Sequence, residues 1–94
     1  MNNYDFGQTV RISLEFRDAD DVLTDPDDVT VVFEHQDGLA VMFTDADPEV
    51  VRESLGAYRI DYTPTLSGTW EYRTLGLLGS TQVATKQEFH VDPA

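Results

Sequence analysis

The chain of 94 residues contains no cysteine. Disulfides, cysteine-ligated zinc, iron–sulfur clusters and thiol nucleophiles are therefore excluded. Positive charge is scarce: six basic residues stand against eighteen acidic ones, for a net charge of −12. Such a surface repels phosphate backbones and anionic lipid, which argues against nucleic acid and membrane as partners. No stretch approaches the roughly 18 apolar residues of a spanning helix. Met1-Asn2-Asn3-Tyr4-Asp5 has neither a basic region nor an apolar run, so no signal peptide is expected and the product is expected to be made in the cytosol. Two histidines far apart in sequence give no transition-metal pattern. There is no Gly-x-Ser-x-Gly elbow and no glycine-rich phosphate loop. No carboxylate lies within an apolar run, the usual device for keeping an acid catalyst protonated. Neither an enzyme nor a cofactor is expected.

The composition that remains suits one small folded domain. Size scaling gives a folded surface of about 5,500 Å² against roughly 15,400 Å² unfolded, enough for a single modest core. At 40% hydrophobic residues the chain is too apolar for a disordered tail. The apolar positions recur with period two. Val10, Ile12, Leu14 and Phe16 alternate with polar residues; so do Val29, Val31, Phe33 and His35; so do Tyr58, Ile60 and Tyr62; so do Trp70 and Tyr72. Each run reads as a strand with one solvated face. Leu39 to Thr44 reads as a return strand after Asp37-Gly38, whose residues both tolerate positive φ. Val83 to Val91 finishes the chain, with Val83, Phe89 and Val91 inward. Thr85 and Gln87 share that inward phase, so the strand faces the core only at its end. Six strands are expected, with a short seventh over Tyr4-Asp5-Phe6. Asp47 to Arg52 reads as one helical turn, capped by Asp47 with Pro48 at its first position. Leu75-Gly76-Leu77-Leu78-Gly79-Ser80 reads as a glycine-flanked loop. The architecture is an antiparallel two-layer β-sandwich filling residues 1–94, with residues 1–7 as an N-terminal arm and 92–94 as a C-terminal tail.

If every strand crosses the sandwich once, alternate connections share an end. The Asp18–Asp28, Asp45–Gly56 and Leu75–Gln82 connections then form one acidic pole, and Asp37-Gly38 and Thr63–Gly68 lie at the other. The acidic pole offers hard oxygen ligands of the kind calcium takes, but Asp18 onward lacks the glycine and glutamate spacing of an EF-hand. Turn aspartates capping their own backbone are the simpler account. Trp70, Tyr58 and Tyr72 suit a sugar-stacking platform, yet they share the phase of Ile60 and are expected in the core. His35 lies on an apolar phase and is expected to be structural. Arg59 and Arg73 read as charge balance on an outer face. Leu77 and Leu78 break the pattern: two leucines stand where a polar turn is expected. Together with Tyr4 and Phe6 in the arm, they are the candidate partner-binding residues, because an exposed apolar tip lowers solubility unless it is covered.

Gly56-x-Tyr58, Thr63-Pro64, Gly68-Thr69-Trp70-x-Tyr72-Arg73 and a closing Phe89-x-Val91, after an opening Gly7-x-Thr9-Val10, form an order that resembles short immunoglobulin-like structural proteins of tailed bacteriophages. The similarity covers about residues 7–91. It implies an immunoglobulin-like β-sandwich of six to seven strands and a virion protein without catalytic residues. The expected function is capsid decoration, a cement protein bound to the assembled head shell in the virion. Its partner would be the major capsid protein, another virion protein or copies of itself. A head–tail connector or tail module is the alternative within the virion. A carbohydrate- or cell-surface-binding module is the alternative of another class.

Overall fold

A computed structural model describes residues 2–79 and 81–93. Eight strands follow one another: β1 (Asn2–Asp5), β2 (Val10–Glu15), β3 (Asp28–His35), β4 (Ala40–Thr44), β5 (Val50–Ser54), β6 (Ala57–Tyr62), β7 (Gly68–Leu78) and β8 (Thr81–Asp92). They form a five-stranded sheet in the order β1-β8-β7-β3-β4 and a three-stranded sheet in the order β2-β6-β5. Every pairing is antiparallel except that of β1 with β8. The longest dimension, 43 Å, is close to the reach of the twelve-residue β8, since an extended residue advances about 3.3 Å.

Period-two patterning decides which side of each sheet is dry. In β2, Val10, Ile12 and Leu14 are buried while Arg11, Ser13 and Glu15 are exposed. Val29, Val31, Phe33 and His35 do the same in β3. The inward residues meet in an aromatic cluster. Phe33 stacks on Tyr62 across the two sheets with ring centroids 4.5 Å apart. Trp70 lies parallel to Phe89 at 6.2 Å and edge-on to Tyr62 at 5.8 Å. Such pairs add about 0.5–1.5 kcal/mol each beyond the area they bury. Tyr58 is buried edge-on against Phe16, and Tyr72 is half-buried against Phe33 and Phe89, so these aromatics are core rather than surface.

Four expectations change. There are eight strands rather than six or seven, because Asp47–Arg52 is not a helical turn. The Val50 N–H closes a tight turn on the Asp47 carbonyl at 3.1 Å, and the chain then extends as β5 against β6. The β-branched pair Val50-Val51 outweighs the Asp-Pro capping signal. The segment Leu75–Ser80 is not a loop. β7 runs through Leu78 and pairs with β8 as far as Leu78↔Thr81, leaving only residues 79–80 to connect them; Ser80 lies outside the described residues. The first strand is Asn2–Asp5 rather than Tyr4–Phe6, so the arm is a sheet edge and Phe6 begins the turn after it. In the hairpin after β3, only Gly38 takes positive φ (97°), and the loop is the three-residue kind closed by His35 and Leu39.

Hydrogen bonds bring the connections to two poles. At one pole the Phe16 N–H bonds the Gly56 carbonyl at 2.8 Å, the Gly56 N–H bonds Asp25 at 2.8 Å, and the Asp27 N–H bonds the Leu77 carbonyl at 2.6 Å. At the other pole the Gln36 N–H bonds the Thr69 carbonyl at 3.0 Å, and His35 bonds the Ser67 carbonyl at 2.8 Å.

Candidate docking surface

Several acids of the first pole bond the chain itself. Asp18 Oδ1 accepts the N–H groups of Asp20 at 2.9 Å and Val22 at 3.1 Å, an aspartate turn that holds Asp21 at φ 64°. Asp27 accepts the Gly79 N–H at 3.3 Å, and Asp47 accepts that of Thr44 at 2.8 Å. Asp25 joins three segments: it accepts from Gly56 and ion-pairs with Arg52 Nη2 at 2.9 Å. Among the described residues, no three histidine, aspartate or glutamate side chains converge as metal ligands.

The same bonds set the protonation of these groups. The Arg52 guanidinium, with the Gly56 N–H next, holds the Asp25 carboxyl below the usual carboxylate range. Arg11, bonded to Asp61 at 2.8 Å, does the same there. Burial pushes the phenols of Tyr58, Tyr62 and Tyr72 up. A carboxyl whose folded pKa is depressed contributes stability above its unfolded value, near pH 4, and loses it as pH falls through the folded value. Acidification also relieves the self-repulsion of a −12 chain, so the parent curve mixes two opposite trends. Comparison with Asp25→Asn separates them. The variant should melt below the parent at about pH 6, and the gap should close below about pH 4. A gap that stays constant in melting curves taken from about pH 6 down to about pH 2 would mean Asp25 is not held as described.

His35 is buried against Trp70, with ring centroids 4.9 Å apart. Its Nδ1 accepts the Asp37 N–H at 3.1 Å, so Nε2 carries the hydrogen that bonds the Ser67 carbonyl. It is a strand-end histidine that ties two turns together. His90 is half-buried beside Asp92 near the end of β8.

The four candidate partner-binding residues do not form one patch. Leu77 and Leu78 sit near the tip of the β7–β8 hairpin at the acidic pole. Tyr4 pairs with Val91, which pairs with Gly68 at the opposite end of β7. Nine residues of extended chain separate Gly68 from Leu77, about 30 Å. Tyr4 is half-buried, edge-on to Phe89 at 5.7 Å, and serves the core. Phe6 is 44% exposed in the turn after β1. Consecutive leucines also face opposite ways. Leu77 points outward beside Leu75 and Gln82. Leu78 points inward and, with Ala19, Val83 and Thr81, lines a cleft of about 310 Å³. Val22, 55% exposed in the aspartate turn, adds a third apolar side chain at this pole. Nothing in the sequence marked Val22, because Val22-Leu23 is too short a pair to show a period within an aspartate-rich stretch.

The shape is a known one. It is similar to the crystal structure of the Lin-41 filamin domain, with a TM-score of 0.70 and 17% identity over 97% of this chain and 83% of that one. The protein is an immunoglobulin-like β-sandwich. The sandwich is also similar to part of the endo-β-1,4-mannanase from Thermotoga petrophila, with a TM-score of 0.70 and 16% identity over the whole of this chain but only 18% of the enzyme. Identities this low show a shared fold and nothing finer. No protein-family model matches the sandwich, and no curated protein matches it in sequence.

Proposed function

We propose that the sandwich works through its outer surface as a structural protein of a tailed-phage virion, decorating the assembled head shell. The observation that carries this is the apolar tip at the acidic pole: Leu77, Val22 and Leu55 are exposed there among acidic turns, on a chain of net charge −12. An exposed apolar tip is a cost to a free monomer and a gain to a docked one. The order Gly68-Thr69-Trp70-x-Tyr72-Arg73, similar to that of short phage structural proteins, supports the virion setting. On a repeating shell, modest affinity per copy suffices once neighbouring contacts add. Binding only the closed shell then raises the free energy needed to open it.

A sugar-binding role, which the mannanase likeness brings into view, finds less support. Stacking on a sugar needs an exposed aromatic face, and Trp70 and Tyr58 are buried.

The test is a pair of measurements on purified particles. The native protein should be present at on the order of hundreds of copies per particle, as expected if every subunit joint offers a site. A few copies per particle would place it at the head–tail junction or tail instead. The Leu77→Asp/Leu78→Asp protein should keep the parent's dichroism spectrum and lose binding to stripped shells. Undiminished binding would remove the tip from the account.

A further inference from the structure

The upper part of β8 has no partner on its outer side. β7 pairs with β8 from Thr81 to Val91 without a break in register, whereas β1 pairs only from Phe89 to Asp92. The Asp92 carbonyl accepts the Phe6 N–H at 3.1 Å, so Asp92 turns its backbone groups toward the β1 side. Alternation turns the N–H and C=O of Gln82, Ala84, Lys86 and Glu88 the same way. Among the described residues no strand receives them. The inner face is open there as well. Thr85 and Gln87 share the phase of Phe89 and Val91, yet both are exposed. Opposite stands the free edge of β2. Phe16 gives its N–H to Gly56 on the β6 side, so Ser13 and Glu15 turn theirs outward. Between the two edges lies a cleft of about 230 Å³ floored by Leu14, Phe16, Tyr72 and Thr74.

We propose that this cleft is a strand-docking groove, in which an extended, neutral-to-basic segment of a partner protein pairs with β8 along Gln82–Glu88 and covers Val83, Thr85 and Gln87. The occupant is extended because only another strand offers N–H and C=O groups at the spacing that β8 presents. It alternates because a docked strand turns every second side chain into the cleft. Its charge follows from the surface. All six basic side chains lie within 4.0 Å of an acid, so the field of the −12 chain as a whole favours a neutral-to-basic segment, while the cleft itself is lined by one acid, Glu15. A second copy would bring a further −12 and is repelled. Lys86 is the residue type that guards free edges, but here it is drawn onto the outer sheet face by Glu71 at 3.2 Å. The groove adjoins the leucine tip at Gln82 and Val83, but it does not rest on the shell binding proposed above.

The probe is a synthetic seven-residue peptide of alternating lysine and valine, capped at both ends. Three controls go with it: the same peptide N-methylated at alternate amides, a glutamate–valine peptide, and the Ala84→Pro protein. Proline at position 84 removes an N–H that points out of the sheet, so the β7–β8 ladder is kept. Hydrogen exchange read by NMR should show the Gln82, Ala84, Lys86 and Glu88 amides slowed at least tenfold by the lysine–valine peptide. The N-methylated and glutamate peptides should have no effect, and Ala84→Pro should weaken binding at least tenfold. If Ala84→Pro unfolds the chain, the N-methylated peptide carries the same comparison on the parent protein. Protection elsewhere, equal binding of the N-methylated peptide, or dimers in sedimentation that hide the same four amides would overturn the proposal.

Discussion

Replacing Trp70 with alanine should lower the unfolding free energy by about 3–5 kcal/mol, the range for emptying a fully packed aromatic site. Trp70 is 0% exposed and lies between Phe89 in its own sheet and Tyr62 in the other. No neighbour can fill the space, because the rings around it are held by their own strands. A second loss is polar. The indole N–H donates to the Leu66 carbonyl at 3.0 Å and so holds the Thr63–Ser67 link against the core. Left without that donor, the carbonyl must find water or stay unpaired. A chain of this length carries about 5–14 kcal/mol of stability in total, so a large share of it would go. Urea unfolding followed by far-ultraviolet dichroism is the measurement, because the variant lacks the only tryptophan. Trp70→Phe should fall between the two, keeping much of the packing and losing the hydrogen bond. A loss below about 1 kcal/mol for the alanine variant would mean the ring is not packed as described, since core aromatic truncations cost several times more.

What the sequence revealed of the fold is what side-chain alternation can encode. A strand with one wet face writes its orientation into every second residue, and Val10–Phe16, Val29–His35 and Tyr58–Tyr62 all did so. Trp70 and Tyr58 were legible as core for the same reason. Alternation fails where both faces are equally open or equally constrained. Leu77 and Leu78 lie on a hairpin that neither layer fully covers, so each face tolerates a leucine and the pair looked like a loop. Gly76 reinforced that error. It is a strand residue whose missing side chain admits the Phe16 ring: a Cβ there would overlap Phe16 Cε1. The contact links residues sixty positions apart and leaves no local mark. The acidic loops do meet at one pole, as the Asp25–Gly56 and Asp27–Gly79 bonds show, although strand parity took Asp45–Gly56 for a single connection and missed β5 inside it. Parity carried no information about β1, whose parallel pairing with β8 puts Tyr4 and Phe6 at the far end. The open edge of β8 did leave a signal, Thr85 and Gln87 on the inward phase, visible as an irregularity before its cause was.

The second large effect should come from Gly56→Ala, at about 2–4 kcal/mol, which combines a left-handed backbone penalty with overpacking. Gly56 has φ +70°, and a Cβ built on it would stand 2.7 Å from the Thr24 nitrogen and 2.9 Å from the Phe16 carbonyl oxygen. Both are backbone atoms in a closed hydrogen-bonded knot. Gly56 gives its N–H to Asp25 and takes the Phe16 N–H, and the Phe16 carbonyl takes the Thr24 N–H at 2.9 Å. A flexible side chain could swing away from the new methyl; these groups can retreat only by breaking the bonds that join β6 to the end of β2 and to the aspartate-rich loop. Gly79→Ala supplies the control. Its φ of +62° is nearly the same, but among the described residues nothing lies within 4 Å of the added carbon, so it should carry only the left-handed penalty of about 1–2 kcal/mol. The difference between the two variants in chemical denaturation therefore isolates the contact of the methyl with Thr24 and Phe16. Equal losses would mean that the Asp25–Gly56 knot opens without resistance, and that the acidic pole is looser than its hydrogen bonds describe.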